Sequence, residues 1–233
     1  MSQIPTEASV AREEGRRVQA QVALVLLETL KSQDRPGEIL DDEDVTLTIP
    51  RRLGLSGVVD AQIRRYREEV RQRGTISEQE VVDLLRLVTR RPDSEDVFVR
   101  IGRSLTAATE APRWRRILPR RFAYSMARRR VRRRLRTLFG GPILEVVEAP
   151  FVLEAAHDVF MKGDPGGEAC GVITGISQAI LETAGIDARV EHLECRSRRD
   201  DRCRWGVVAA DENGNSEETD EPAGEPSVEG KGD

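Results

Sequence analysis

Three cysteines and one histidine carry the strongest chemical signal in this chain of 233 residues. Cys170, Cys195 and Cys203 all lie in its last third, and His192 stands three residues before Cys195. An odd number of thiols cannot all pair within one chain, so a disulfide framework is disfavoured against a metal site or spare thiols. Thiolate sulfur and imidazole nitrogen are soft ligands, and a Cys3His set can close a tetrahedral zinc site. The set converges if Cys170 opens a helix packed against a hairpin whose facing ends hold Cys195 and Cys203. Residues three apart on a regular strand point to opposite faces, however, so His192 and Cys195 can share a metal only across a bulge or strand end near Glu194. Without CxxC spacing, the same residues also read as three small buried hydrophobes and an incidental histidine.

Other chemistry is sparser. The chain has no GxGxxG after a strand, no P-loop and no GxSxG, which removes several common enzyme classes. His157 lies beside Asp158 and near Glu154, but no serine or thiol can be paired with it, and the reading leans away from an enzyme. Trp114, Phe122, Tyr124, Phe151 and Phe160 hold most of the aromatic surface, and they suit either a cavity for a small hydrophobic or aromatic ligand or ordinary core packing. Between Glu110 and Glu145 there is no acidic side chain, while Arg113 to Arg136 holds twelve arginines. Such a potential meets water, a polyanion, an acidic partner or membrane headgroups, and a solvated helix face is the commonest of these. Nucleic acid is the weaker reading, because no helix-turn-helix or other base-reading module accompanies the charge.

The elements that must position these residues follow from periodicity and breakers. Val18, Val22, Val25, Leu26 and Leu30 predict an amphipathic helix within Val10 to Lys31, whose apolar stripe seeks a protein partner or a second copy. Pro36, Gly37 and the run Asp41 to Asp44 predict a linker, so residues 1–44 read as a helical arm on a tether. Val45, Leu47 and Ile49 alternate like a short strand. Helices are expected from Val58 to Val70, from the capping box Ser77-Glu78-Gln79-Glu80 onward, from Asp93 or Ser94 toward Ala108, and through the arginine stretch with a break near Pro119. Strands follow at Ile143 to Glu148 and Phe151 to Leu153. A helix from Glu168 to Ala184 has Gly171 and Gly175 four apart for close packing, and a hairpin joins Ala188 to Cys195 with Cys203 to Ala209. The overall charge of −4 combines a tail, Asp211 to Asp233, that has nine acidic residues against Lys231, with a body of +4 over residues 1–210. That tail, residues 210–233, is too polar to offset its ordering entropy and is expected to be disordered, free to fold back on the arginine face. No run approaches the roughly 18 apolar residues of a spanning helix, and Glu7, Glu13 and Glu14 stand where a signal peptide would be apolar, so a cytoplasmic protein is expected.

The run Val190-Glu191-His192-Leu193-Glu194-Cys195, its polar connection, and Cys203-Arg204-Trp205 resemble the terminal signature of the vinyl-4-reductase domain family. Ala169-Cys170-Gly171 and Gly175 resemble that family's preceding helix. The resemblance is weak from Val45 and strong from Glu148 to Val208. It implies an α/β (α+β) domain over residues 45–209, with an antiparallel sheet packed with helices, related to TRAPP Bet-like and haem-nitric-oxide-binding-like folds. It also implies zinc, because the ligands of the phenol- and xylene-sensing activators fall on Cys170, His192, Cys195 and Cys203. The family's third ligand is usually an acidic residue, so Glu191 and Glu194 stand as alternatives to His192. Four protein ligands leave no open position for water, which makes such a site structural. The expected function is a small-molecule-binding sensor or carrier acting through a protein partner. The alternatives are an accessory protein or reductase of tetrapyrrole (bacteriochlorophyll) metabolism, and a basic nucleic-acid-associated protein.

Overall fold

Burial of apolar stripes decides where each helix of this chain lies. The computed structural model describes residues 16–33, 57–106, 119–148, 150–156 and 159–208. The expected linker after residue 33, the strand Val45 to Ile49, Trp114, His157 and the acidic tail lie outside the described residues. The described chain is α+β. In order, its elements are β1 (Arg17–Gln19), α1 (Ala20–Gln33), α2 (Gly57–Arg71), β2 (Thr75–Ser77), α3 (Glu78–Val88), α4 (Ser94–Ser104), α5 (Arg120–Phe139), β3 (Leu144–Glu148), β4 (Val152–Ala155), α6 (Val159–Gly163), α7 (Gly171–Thr183), β5 (Arg189–Glu194) and β6 (Arg204–Val208). Single 3-10 turns at Glu168–Cys170 and Arg196–Arg198 precede α7 and join β5 to β6. One sheet pairs β1 with β2, and the other runs β3-β4-β6-β5, with every pairing antiparallel.

The first helix corrects an expectation. Its periodicity predicts a stripe that seeks a partner, yet Val18, Val22, Leu26 and Leu27 are buried in the common core, and Val25 and Leu30 pack against it. Helix α2 covers α1, with Arg67 bonded to Glu28 at 2.8 Å and Lys31 bonded to Asp60. The helix also starts later than its periodicity suggested, because residues 17–19 pair with Thr75–Ser77 as a strand.

Several expected boundaries hold closely. Ser77 caps α3, its hydroxyl accepting from the Glu80 N–H at 3.2 Å. The Glu80 carboxylate does not reach back to close a capping box; it accepts instead from the Tyr66 hydroxyl at 2.7 Å. Helix α5 starts directly after Pro119 and buries Ala123, Ala127, Val131, Leu135 and Leu138, one face at helical spacing. Its Arg134 is half-buried and donates from Nε to the Leu105 carbonyl at 2.9 Å, satisfying the end of α4.

Helices α4 and α7 make the most extensive contact between elements. They meet backbone to backbone: a Cβ on Gly175 would fall on the Val99 carbonyl, and one on Gly102 on the Val172 carbonyl. On its other side α7 is pinned to β5 by Gln178, whose Oε1 accepts from the Val190 N–H at 2.8 Å while Nε2 donates to the Ala188 carbonyl at 3.2 Å. Replacing Gly175 by Ala must push the helices apart, and should lower unfolding free energy by about 1–3 kcal/mol. The Gly57→Ala control, where a Cβ meets nothing within 4 Å, should leave the thermal midpoint within experimental error of the parent. Equal midpoints for the two variants would refute this account of the packing.

Candidate metal centre

Three separate devices bring the thiols together. The first is the loop that opens α7. Asp164 is buried, and its carboxylate accepts from the Gly166 N–H at 2.8 Å and from the Ala169 N–H at 2.6 Å, folding the Asp-Pro-Gly-Gly segment into the turn that presents Cys170. Gly167 completes that turn at φ 86°, and a Cβ there would lie 2.6 Å from the Cys195 sulfur. Ser94, at the start of α4, donates to the Glu168 carboxylate and ties the loop to that helix.

The second device is an irregularity in the hairpin. His192 stands opposite Trp205 and Glu194 opposite Arg204, so β5 carries one extra residue at this point. Leu193 is that residue, and it is exposed. The bulge reverses the alternation, which is the condition that lets His192 and Cys195 face one point although they are three residues apart. The third device is the connection between the strands. The Cys195 carbonyl accepts from the Arg198 and Asp200 N–H groups at 2.8 and 3.2 Å, while the Asp200 carboxylate accepts from the Cys195 N–H at 2.7 Å. Arg199 closes this connection with a left-handed backbone at φ 77°, a conformation that glycine adopts more readily.

One ligand atom from each of Cys170, His192, Cys195 and Cys203 lies within 4.8 Å of all the others. A tetrahedral zinc with Zn–S bonds of about 2.3 Å needs sulfurs about 3.8 Å apart, so a contraction of about 1 Å or less closes the set. All three cysteines are free and buried. His192 stacks on Trp205 with centroids 4.7 Å apart and planes 10° from parallel, and its Nε2 is buried with no hydrogen-bond partner. A buried imidazole nitrogen without a regular hydrogen bond, turned toward the same thiols, fits a metal ion. The Arg196 N–H points at the Cys203 sulfur, 3.4 Å away. Donation from the Cys170 thiol, then the neighbouring His192 side chain and that N–H, lowers the Cys203 pKa against the effect of burial; the same thiol contact and burial raise Cys170.

The two carboxylates weighed as fourth ligands are otherwise placed. Glu194 pairs with Arg202 at 3.2 Å and Arg204 at 3.5 Å, and Glu154 holds the same two arginines at 3.3 and 3.5 Å. This four-charge network clamps β4, β6 and β5 together. Glu191 lines a cleft and pairs loosely with Arg189, at 3.9 Å. Neither Glu191 nor Glu194 belongs to the group of side chains that converge, whereas His192 does.

That cleft, of about 550 Å³, runs between α4, α7 and β5 and reaches His192. Its walls include Arg103, Glu182, Arg189, Glu191 and Arg198, with Arg103 bonded to Glu182 at 2.7 Å. Among the described residues, none of the aromatic side chains singled out in the sequence lines it. Phe122 is half exposed on α5, Tyr124 packs on Phe151 at 6.4 Å, and Phe160 packs edge-on against Phe139 at 5.1 Å. Sequence reasoning missed Asp164, Gln178 and Asp200. Asp164 and Asp200 each stand in a turn-forming context that could have signalled a backbone-binding carboxylate.

No family model, curated protein or solved structure matches this chain. Among the described residues no helix is long and apolar enough to cross a membrane.

Cys203→Ser should abolish stoichiometric metal binding, measured by elemental analysis of the purified protein, and lower the thermal midpoint, since binding energy at a structural metal is folding energy. His192→Ala should weaken the metal, whereas Glu194→Gln should retain it; the reverse order would transfer the ligand role to Glu194. Asp164→Ala touches no ligand atom, yet by loosening the Cys170 turn it should reduce metal affinity about 10- to 100-fold in a chelator competition. An unchanged affinity would show that the turn holds without Asp164.

Proposed function

We propose that this chain is a small-molecule-binding sensor or carrier domain of the vinyl-4-reductase type, with one structural zinc ion held by Cys170, His192, Cys195 and Cys203. The observation that carries the reading is the convergence of these four side chains, at the four positions on which the resembling activators' ligands fall. The finer fold relationship, to TRAPP Bet-like and haem-nitric-oxide-binding-like domains, and a cytoplasmic location belong to the same proposal. Bound there, zinc supplies cross-linking rather than reactivity, since four protein ligands leave it no open position. The residues do the remaining work: Asp164 and Asp200 shape the two loops, Trp205 fixes the imidazole plane, and Gly167 leaves room for the Cys195 sulfur.

The ligand's class is suggested by the cleft that shares His192 with this staple. Its walls carry arginines and carboxylates together, so a small polar molecule bearing charge suits it better than the apolar one expected from the aromatic residues. Because β5 contributes both to the cleft and to the zinc hairpin, occupancy of one should stiffen the other, and a partner could read the bound state from that hairpin.

Native and denaturing mass spectra of the purified protein test the proposal together. The expected native mass exceeds the denatured chain by one zinc ion and a small organic molecule. A native mass equal to the bare chain, obtained without chelators, would overturn the zinc assignment. Zinc without any organic mass, even after incubation with cell extract, would overturn the sensor or carrier reading.

A further inference from the structure

Helix α5 carries a feature that the zinc centre and its cleft leave unused. Arg129, Arg132, Arg133 and Arg136 recur at i, i+3, i+4 and i+7, which on a helix sets them in one row about 10 Å long. All four are exposed. None makes an ion pair with a carboxylate among the described residues. Arg134, between them in sequence, is turned instead toward the Leu105 carbonyl and Gln21. Like charges at these spacings repel, so the row persists only because the opposite face of α5 is locked in the core. Two turns before Arg129, at i−7, the same side of the helix carries Phe122, half exposed beneath the Arg121 guanidinium at 5.1 Å.

We propose that this side of α5 binds single-stranded nucleic acid, with the phosphates on the arginine row and a base on the Phe122 ring. The guanidinium forks match phosphate oxygens, and an exposed aromatic face beside a cationic track is what sequence-blind single-strand binding requires. A protein interface of this size would need an apolar centre, which the row lacks. An anionic bilayer would draw in an apolar helix face, and that of α5 is already buried in the protein. The inference goes beyond the zinc reading and does not depend on it.

Fluorescence anisotropy of the full chain with a labelled 20-nucleotide single-stranded DNA of mixed sequence tests it. Four phosphate contacts predict a log-log salt slope of about −3, a weakening of about 50-fold between 50 and 200 mM salt. Replacing Arg129, Arg132, Arg133 and Arg136 together by Gln should remove most of the affinity and flatten the slope, whereas the four Lys replacements should keep the slope. Phe122→Ala should weaken binding about 5-fold or more at an unchanged slope, because stacking releases no counterions. The proposal fails if the parent does not bind at 50 mM salt or if the Gln variant binds as the parent does. It also fails if the parent binds vesicles of phosphatidylserine and phosphatidylcholine but not the oligonucleotide, which would assign the row to a membrane surface. Should the Gln variant not fold, Phe122→Ala decides alone: unchanged affinity overturns the base-stacking assignment and with it the single-strand proposal.

Discussion

The position of α7 is fixed from both sides, and the candidate metal centre depends on that. Toward α4 the two backbones touch where Gly175 meets the Val99 carbonyl and Gly102 meets the Val172 carbonyl, so no side chain can act as a compressible spacer. Toward the sheet, Gln178 binds the β5 backbone at two points. Cys170 sits at the start of this clamped helix, and Cys195 and Cys203 sit at the end of the hairpin to which the helix is clamped. Their meeting follows from helix packing set well away from the sulfurs.

Residue type and spacing made the four candidate ligands legible, and the bulge was legible as a requirement before it was seen. His192 and Cys195 could serve one ion only if β5 lost its alternation, and Leu193 is where it does. The rivalry between His192, Glu191 and Glu194 could not be resolved in the same way, because neighbouring residues on a strand differ only in which face they take. It is Arg202 and Arg204, brought in by β6 and its preceding turn, that engage Glu194. The stripe on α1 was equally ambiguous, since periodicity reports that a face is buried and not what buries it. Strands β1 and β2 are three residues long, too short for alternation to register.

Arginine has several roles in this fold, and composition alone does not separate them. Arg134 is taken out of water to close the end of α4, and burial lowers its pKa. Arg202 and Arg204 bind carboxylates across three strands. Arg16 and Lys162 flank Glu78, which is 5% exposed at the first turn of α3, at 3.3 and 3.1 Å. A carboxylate there gains from the positive end of the helix as well as from its two cations, which offsets the desolvation that would otherwise exclude it. The exposed row on α5 differs from all of these in making no ion pair with a carboxylate among the described residues.

Strand β5 ends the four-stranded sheet, and an end strand normally leaves backbone groups open to another chain. Here the amide of Gln178 stands in for the missing neighbour, occupying the Val190 N–H and the Ala188 carbonyl as a further strand would. Those two groups are therefore closed to another strand while α7 is docked. A chain in which α7 has not yet docked would leave the same two groups open to pairing with a second copy, which makes Gln178 a guard of the sheet edge as well as a clamp.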